Sequence, residues 1–299
     1  MSNALSAAGT GPLELAAFER RFGGSRRLYG HEGAGQIFGA HVVVVGIGGV
    51  GSWAAEALVR AGVGEITLID LDHVSESNIN RQLHARTDTL GQAKVEAMRE
   101  RVLAINPGVK LHLVDDFVTP DNWAGLATPW LATGTQRLAI LDACDAVAAK
   151  TCMAAWALAH GVRHVAVGAA GGKKLAHRVE VADLSETTHD PLLAQLRYRL
   201  RKHHGAARNG TGAMGVTCVF SREAVAAPAT PELCEPAGAA PAATDHSLNC
   251  HGYGSSVAVT ATFGLCAAGW VMEHLARGAR VRPRKSTGSS KTPENDAII

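Results

Sequence analysis

VVVVGIGGVG, residues 42–51, joins a run of four valines to a glycine loop. The run from Val42 to Val45 is short and uniformly apolar, as expected of a strand covered on both faces in a parallel sheet. Ser52 to Ala61 carries helix formers with small residues on one side, and Glu65 to Asp70 reads as the next strand. Together they make one β-α-β unit of about thirty residues. A G-x-G-x-x-G match gains its meaning from following a strand and opening a helix, and Gly46, Gly48, Gly49 and Gly51 stand in that context. Without side chains the backbone can approach phosphate oxygens, and the first-turn N–H groups with the helix dipole favour an anion. Asp70 ends the second strand, placed to accept hydrogen bonds from ribose hydroxyls, with Asp72 two residues on. The plainer alternative is that these glycines only let the helix pack closely on the strand.

Outward from this unit the alternation continues. Val95, Met98, Val102 and Ile105 recur at helical spacing in a helix expected over Gln92 to Ile105 and stopped by Asn106-Pro107. Val109 to Val114, Leu138 to Leu141 and Val162 to Val167 read as strands, Thr151 to His160 as a helix, and Gly168 to Gly172 as a glycine-rich turn. The fold class predicted is α/β, a doubly wound Rossmann-like sheet with a smaller C-terminal region completing the substrate site. Past Val179 to Val181 the alternation fades into an amphipathic basic helix from Leu192 to His204, an Ala/Pro-rich loop from Ala224 to Ala243, and a basic tail expected to be disordered. The divisions expected are an N-terminal extension (1–20), a nucleotide-binding Rossmann-like domain (21–182), the C-terminal region (183–278) and the tail (279–299).

With 299 residues, 46% hydrophobic and 19% charged, the chain can bury a large core, which excludes disordered and collagen-like classes. A net charge of +2 says nothing general about nucleic acid, so partners must be argued from local clusters. The six cysteines include no C-x-x-C pair, which removes the zinc-ribbon and thioredoxin-like readings and predicts no structural zinc. The first residues lack the basic flank and apolar run of a secretory signal, so reduced thiols in a cytoplasmic protein are the default. Ser256 to Met272 is almost free of charge, yet at 1.5 Å per residue it spans about 26 Å, short of a roughly 30 Å hydrocarbon core. A buried helix is expected there, with no stable membrane insertion.

The loop and its acid would serve NAD as well as ATP, and the surroundings must decide. A triphosphate brings more negative charge, and needs cations and a metal held by carboxylate. Downstream of Asp70 the chain offers Ser77-Asn78-Ile79-Asn80-Arg81-Gln82, then Lys94 at the head of a helix, then Asp142 and Asp145 past a strand end. Each alone reads as surface or cap; the set suits ATP with Mg²⁺.

These pieces together resemble the ATP-dependent adenylating superfamily related to ubiquitin-activating enzymes, over Arg21 to about Ala276. The resemblance implies that Gly49 and Asp70 contact phosphate and ribose, Asn80 and Arg81 phosphate, Lys94 the triphosphate, and Asp145 Mg²⁺, with Arg81, Lys94 and Asp145 catalytic and Asp72 and Asn78 part of the nucleotide site. Ala146 stands where the superfamily often has Asn. Within the superfamily, RFGGSRRLYG, VDDFVTPDN, GAAGG, ADLSETTHDPL and VTCVFS look like the tRNA threonylcarbamoyladenosine dehydratases. Those enzymes adenylate the carboxylate of a threonylcarbamoyl group on the adenosine next to the anticodon, then close it into a ring with net loss of water. An acyl-adenylate is neutral at its carbonyl and expels AMP, so placement and charge neutralisation suffice without a protein nucleophile.

The resemblance also implies a homodimer in which Arg27 reaches the neighbouring subunit's nucleotide, and leaves a sulfur-relay partner protein open. Cys250, beside His251, matches a loop that carries a reactive cysteine in some relatives. His160 and His164 have ligand-like spacing but straddle Gly161, which argues against one metal-binding face. Arg197, Arg199, Arg201 and Lys202, with His203, His204 and Arg208, form the densest positive cluster before Arg280, Arg282, Arg284 and Lys285; Arg199, Arg201 and Lys202 are the expected tRNA contacts. Three rivals stay open: adenylation of a sulfur-carrier protein's C-terminus, which the missing zinc cysteines weaken; an NAD-dependent dehydrogenase; and a nucleotide-sensing module without turnover.

Overall fold

Val42 and Val44 face one side of a central sheet and Val43 and Val45 the other, and all four are buried, as a strand covered on both faces requires. The computed structural model describes residues 6–7, 15–134, 136–208, 212–226 and 253–278. In chain order its elements are β1 (Ser6–Ala7), α1 (Leu15–Phe38), β2 (His41–Val45), α2 (Gly51–Arg60), β3 (Glu65–Ile69), α3 (Lys94–Ile105), β4 (Lys110–Val114), α4 (Trp123–Ala127), β5 (Leu138–Asp142), α5 (Val147–His160), β6 (Arg163–Val167), β7 (Val179–Asp183), α6 (Pro191–His203), β8 (Thr217–Ser221) and α7 (Val257–Ala276).

One sheet of order β1-β4-β3-β2-β5-β6-β8-β7 runs through the molecule, parallel from β4 to β8 with antiparallel strands at both edges. The chain winds from β2 outward through β3 and β4, then returns to add β5 on the other side of β2. The crevice above the carboxyl ends of β2 and β5 is therefore the topological switch point, where open α/β sheets bind ligands. Ile37, Leu58, Met98 and Phe263 bring α1, α2, α3 and α7 onto one face; Trp123 and Met153 bring α4 and α5 onto the other, and α6 follows through Leu193, Leu196 and Leu200.

Several elements depart from expectation. α1 lacks a continuous apolar period and contains Gly30 at φ 72°, ψ 176°, which kinks it, so no helix is legible there. β8 inserts between β6 and β7, so residues of the C-terminal region complete the same sheet as the glycine-loop unit. The apolar segment near the end is a buried helix, as expected: α7 packs on α2 and α1, and a Cβ at its Gly264 would overlap the Val50 carbonyl. No helix among the described residues is long and apolar enough to cross a membrane. Cys250, the tail from 279 and the Ala/Pro-rich loop from 227 lie outside the described residues.

Candidate active site

The glycine loop turns between β2 and α2 under tight steric limits. Gly46 has φ +85°, and a Cβ there would lie 2.9 Å from the Ala143 carbonyl and the Cys144 nitrogen. A Cβ on Gly51 would overlap the Gly46 carbonyl oxygen, whereas one on Gly48 would meet only Gln82 Nε2 at 3.9 Å. Gly51→Ala is thus expected to destabilise the chain by about 3 kcal/mol or more in urea titration, while Gly48→Ala keeps its unfolding midpoint and loses ATP affinity. Equal midpoints for the two variants would refute this division of roles.

Asp70 ties the loop to β3. Its Oδ2 accepts from Ile47 N at 2.6 Å and its Oδ1 from Asp72 N at 2.9 Å, with Lys94 Nζ 3.8 Å away. Burial raises its pKa, against the pull of Lys94 and the two N–H donors. The carboxylate thus supports the loop while lining the cleft. Lys94, buried at the start of α3, donates to Asp72 Oδ2 at 2.6 Å. Asn78 is buried and accepts from Ser75 N at 3.1 Å, closing the turn that presents Arg81. The Arg81 stem lies over Gly49, its main chain accepts from Trp53 Nε1, and its guanidinium donates to Ser77 O at 2.7 Å and Asn80 Oδ1 at 2.9 Å.

Across the switch point the two aspartates after β5 separate. Asp142 is wholly buried and accepts from Lys150 Nζ at 2.8 Å and Cys144 N at 3.2 Å. Burial pulls the Lys150 ammonium down, but Asp142 outweighs it and the net shift is upward. Asp145 is exposed in the cleft and accepts no hydrogen bond among the described residues. Of the two acids weighed from sequence, only Asp145 is placed to meet a ligand.

The far wall comes from a feature that the residue patterns did not single out. Asp190 caps α6 through Leu193 N at 3.0 Å and also accepts from Ala169 N at 2.9 Å, which ties the helix to the glycine turn. Its pKa is raised by burial. The signal was the Asp-Pro pair at the helix start, a capping residue before a proline at the first helical position.

The result is a cleft of about 1120 Å³ lined by Gly46, Gly48, Gly49, Asp70, Asp72, Asn78, Arg81, Lys94, Asp145 and Arg199. That is somewhat above the roughly 300–1,000 Å³ usual for small-molecule sites. Gly51 supports the loop from behind. Asn80 turns away and donates to Ser255 O at 3.1 Å. Arg27 lies on α1, off the cleft of its own chain.

The basic helix divides. Arg197 donates to Leu184 O, Thr187 O and Thr187 Oγ1, and Arg201 Nε to Ala207 O at 3.1 Å. Both therefore tie α6 to its flanking loops rather than forming a free basic face. Lys202 is exposed, over the Tyr198 ring. His160 stacks on Trp156, and His164 is buried facing Asp142 at 3.8 Å.

A sequence model of the ThiF family matches residues 24–287. The chain belongs to the ThiF family. Among relatives, tRNA threonylcarbamoyladenosine dehydratase of Escherichia coli (strain K12) is 43% identical over 267 residues, 88% of this chain and 97% of that one. The Haemophilus influenzae enzyme of the same name is 39% identical over 259 residues, 86% and 94% of the two chains. The solved structure of the E. coli enzyme in complex with ATP superposes with a TM-score of 0.73 at 42% identity, over 87% of this chain and 96% of that one. The ThiF-family assignment agrees with the adenylating resemblance drawn from the motifs, and the shared fold with the doubly wound sheet.

Proposed function

We propose that this ThiF-family chain is an ATP-dependent dehydratase that closes threonylcarbamoyladenosine in tRNA into its cyclic form. The observation carrying the reading is the convergence of the glycine loop, Asp70, Arg81, Lys94 and Asp145 on one cleft, in a chain matching the dehydratases along most of its length. ATP is consumed as a substrate. Ile69 and Val118, with half-exposed Phe117, give the cleft an apolar part suited to a purine. The loop N–H groups, Arg81 and Lys94 neutralise phosphate charge, and Asp145 would hold Mg²⁺. The donor set fits that ion: Asp145 presents hard oxygens with no protein partner among the described residues, while Asp142 is already neutralised. Mg²⁺ takes one or two carboxylates and completes its shell with phosphate and water, and its bound charge would offset that of the phosphates.

A homodimer belongs to the same proposal. Arg26 pairs with Glu19 and Arg21 donates to Ile105 O, which leaves exposed Arg27, beside Leu28 at 75% exposure, to reach a second copy. The setting we propose is cytoplasmic, with tRNA as the partner; a sulfur-relay protein is a further candidate.

The acceptor separates the readings, since any adenylating relative binds ATP. With ATP and Mg²⁺, pyrophosphate and AMP release is expected with threonylcarbamoyl-modified tRNA, giving a product lighter by one water, and not with unmodified tRNA. Release only with a sulfur-carrier protein ending in Gly-Gly would replace this reading. Release with none would make the chain a sensor, and hydride transfer with NAD would overturn adenylation.

A further inference from the structure

Among the described residues three Lys or Arg side chains line the cleft, Arg81, Lys94 and Arg199, and they stand differently. Arg81 and Lys94 belong to the side of the switch point after β3, and both have protein oxygens as partners. Arg199 lies on the wall formed by α6 and the Gly168–Gly171 turn after β6, with no acceptor among the described residues. In the sheet β3 and β6 are three strand spacings apart, about 14 Å at the usual separation. Leu192, Gln195 and Arg199 recur on one face of α6, and that face meets the cleft while Leu193, Leu196 and Leu200 enter the core. Asp190, bonded to both helix and turn, holds the wall in register.

A second anion must enter this cleft. The acceptor carboxylate attacks the α-phosphorus of ATP: an O–P bond forms, the bond from that phosphorus to the bridging oxygen breaks, and pyrophosphate leaves with the electron pair. Two anions repel, and the cations on the β3 side are engaged with acids, loop carbonyls and the triphosphate. Resting on the function proposed above, we infer that Arg199 is the residue that binds the carboxylate of the threonylcarbamoyl group and so distinguishes modified from unmodified tRNA. A guanidinium matches a carboxylate with two parallel N–H···O bonds, which an ammonium cannot do. This assigns Arg199 to the reacting group instead of to backbone phosphate, the role its place in a basic run suggests.

The test compares wild type, Arg199→Ala and Arg199→Lys for affinity toward modified and unmodified tRNA across salt concentrations, with pyrophosphate release and ATP affinity alongside. Arg199→Ala should cut the modified-to-unmodified affinity ratio about ten- to a hundredfold, with the salt slope on unmodified tRNA unchanged and ATP affinity preserved. Arg199→Lys should recover only part of the ratio. Equal weakening toward both tRNAs, with a slope lower by about one ion, would show a phosphate contact and overturn the assignment. Wild-type ratio and rate in Arg199→Ala would overturn it as well. No pyrophosphate release by the wild type on modified tRNA would sink the functional reading, and this assignment with it.

Discussion

Asp145→Ala and Arg81→Ala are each expected to lower turnover roughly a hundredfold, about 3 kcal/mol of transition-state stabilisation. The two should fail differently. Arg81 sits over Gly49 on the phosphate loop, so its loss should weaken ATP binding as well as the rate. Asp145 stands exposed across the switch point and supports no neighbour by hydrogen bond among the described residues, so its loss should leave the urea midpoint intact and raise the Mg²⁺ concentration needed for half-maximal rate. Asp142→Ala is the instructive control three residues earlier. It strands the fully buried Lys150 ammonium, and breaking such a pair costs about 3–5 kcal/mol, so that variant should fail in the denaturation curve before any assay. Near-wild-type rates for both Asp145→Ala and Arg81→Ala would remove these residues from the site.

Stability should fall steeply between pH 6.5 and pH 4. His41, His84 and His164 are buried, and burial depresses each pKa from 6.5 to about 4. Glu65 and Asp142 pull His41 and His164 back up, while Lys94 presses His84 further down. In the folded chain all three stay neutral as the unfolded chain takes up protons, so their contribution is complete above pH 6.5 and is lost as pH falls toward 4. A shift of that size is worth about 3 kcal/mol for one ring, already a large share of the roughly 5–15 kcal/mol that holds a typical domain. Asp70 and Asp190, with pKa values raised by burial, push the other way. The comparison that isolates the histidines is therefore wild type against single His→Gln variants, by urea midpoint from pH 7.5 to 4.5. Each variant should flatten the curve by about one proton; parallel curves would show that the rings titrate as in the unfolded chain.

The parts of this molecule legible in its sequence are those where one local rule dominates. The valine run, the glycine loop and the acid ending the next strand carry their geometry in backbone chemistry, and β2, α2 and β3 lie within a residue or two of expectation. What stayed hidden depends on which side chains meet between one element and the next. The difference between Asp142 and Asp145 is Lys150 in the first turn of α5, which folds back to pair with the first and leaves the second exposed. The basic run on α6 looks uniform by composition, yet Arg197 and Arg201 reach loops on either side while Arg199 enters the cleft. β8 is five residues long in an irregular stretch, and only the vacancy between β6 and β7 makes it a strand.

That late strand and α7 have a consequence for how the protein is made. A ribosome that has synthesised residues 1–210 has released the glycine loop, Asp70, Lys94 and Asp145, but not the strand that joins β7 to the sheet, nor the helix whose Gly264 presses on the loop's Val50 and whose Thr260 faces Gly49. The contact of α7 with the loop joins residues far apart in the chain, so it closes late. The emerging polypeptide therefore holds most of the cleft-lining residues for a substantial part of its synthesis without a finished cleft around them. α7 brings Thr260 to the cleft wall, so a translation product interrupted before it lacks part of that wall.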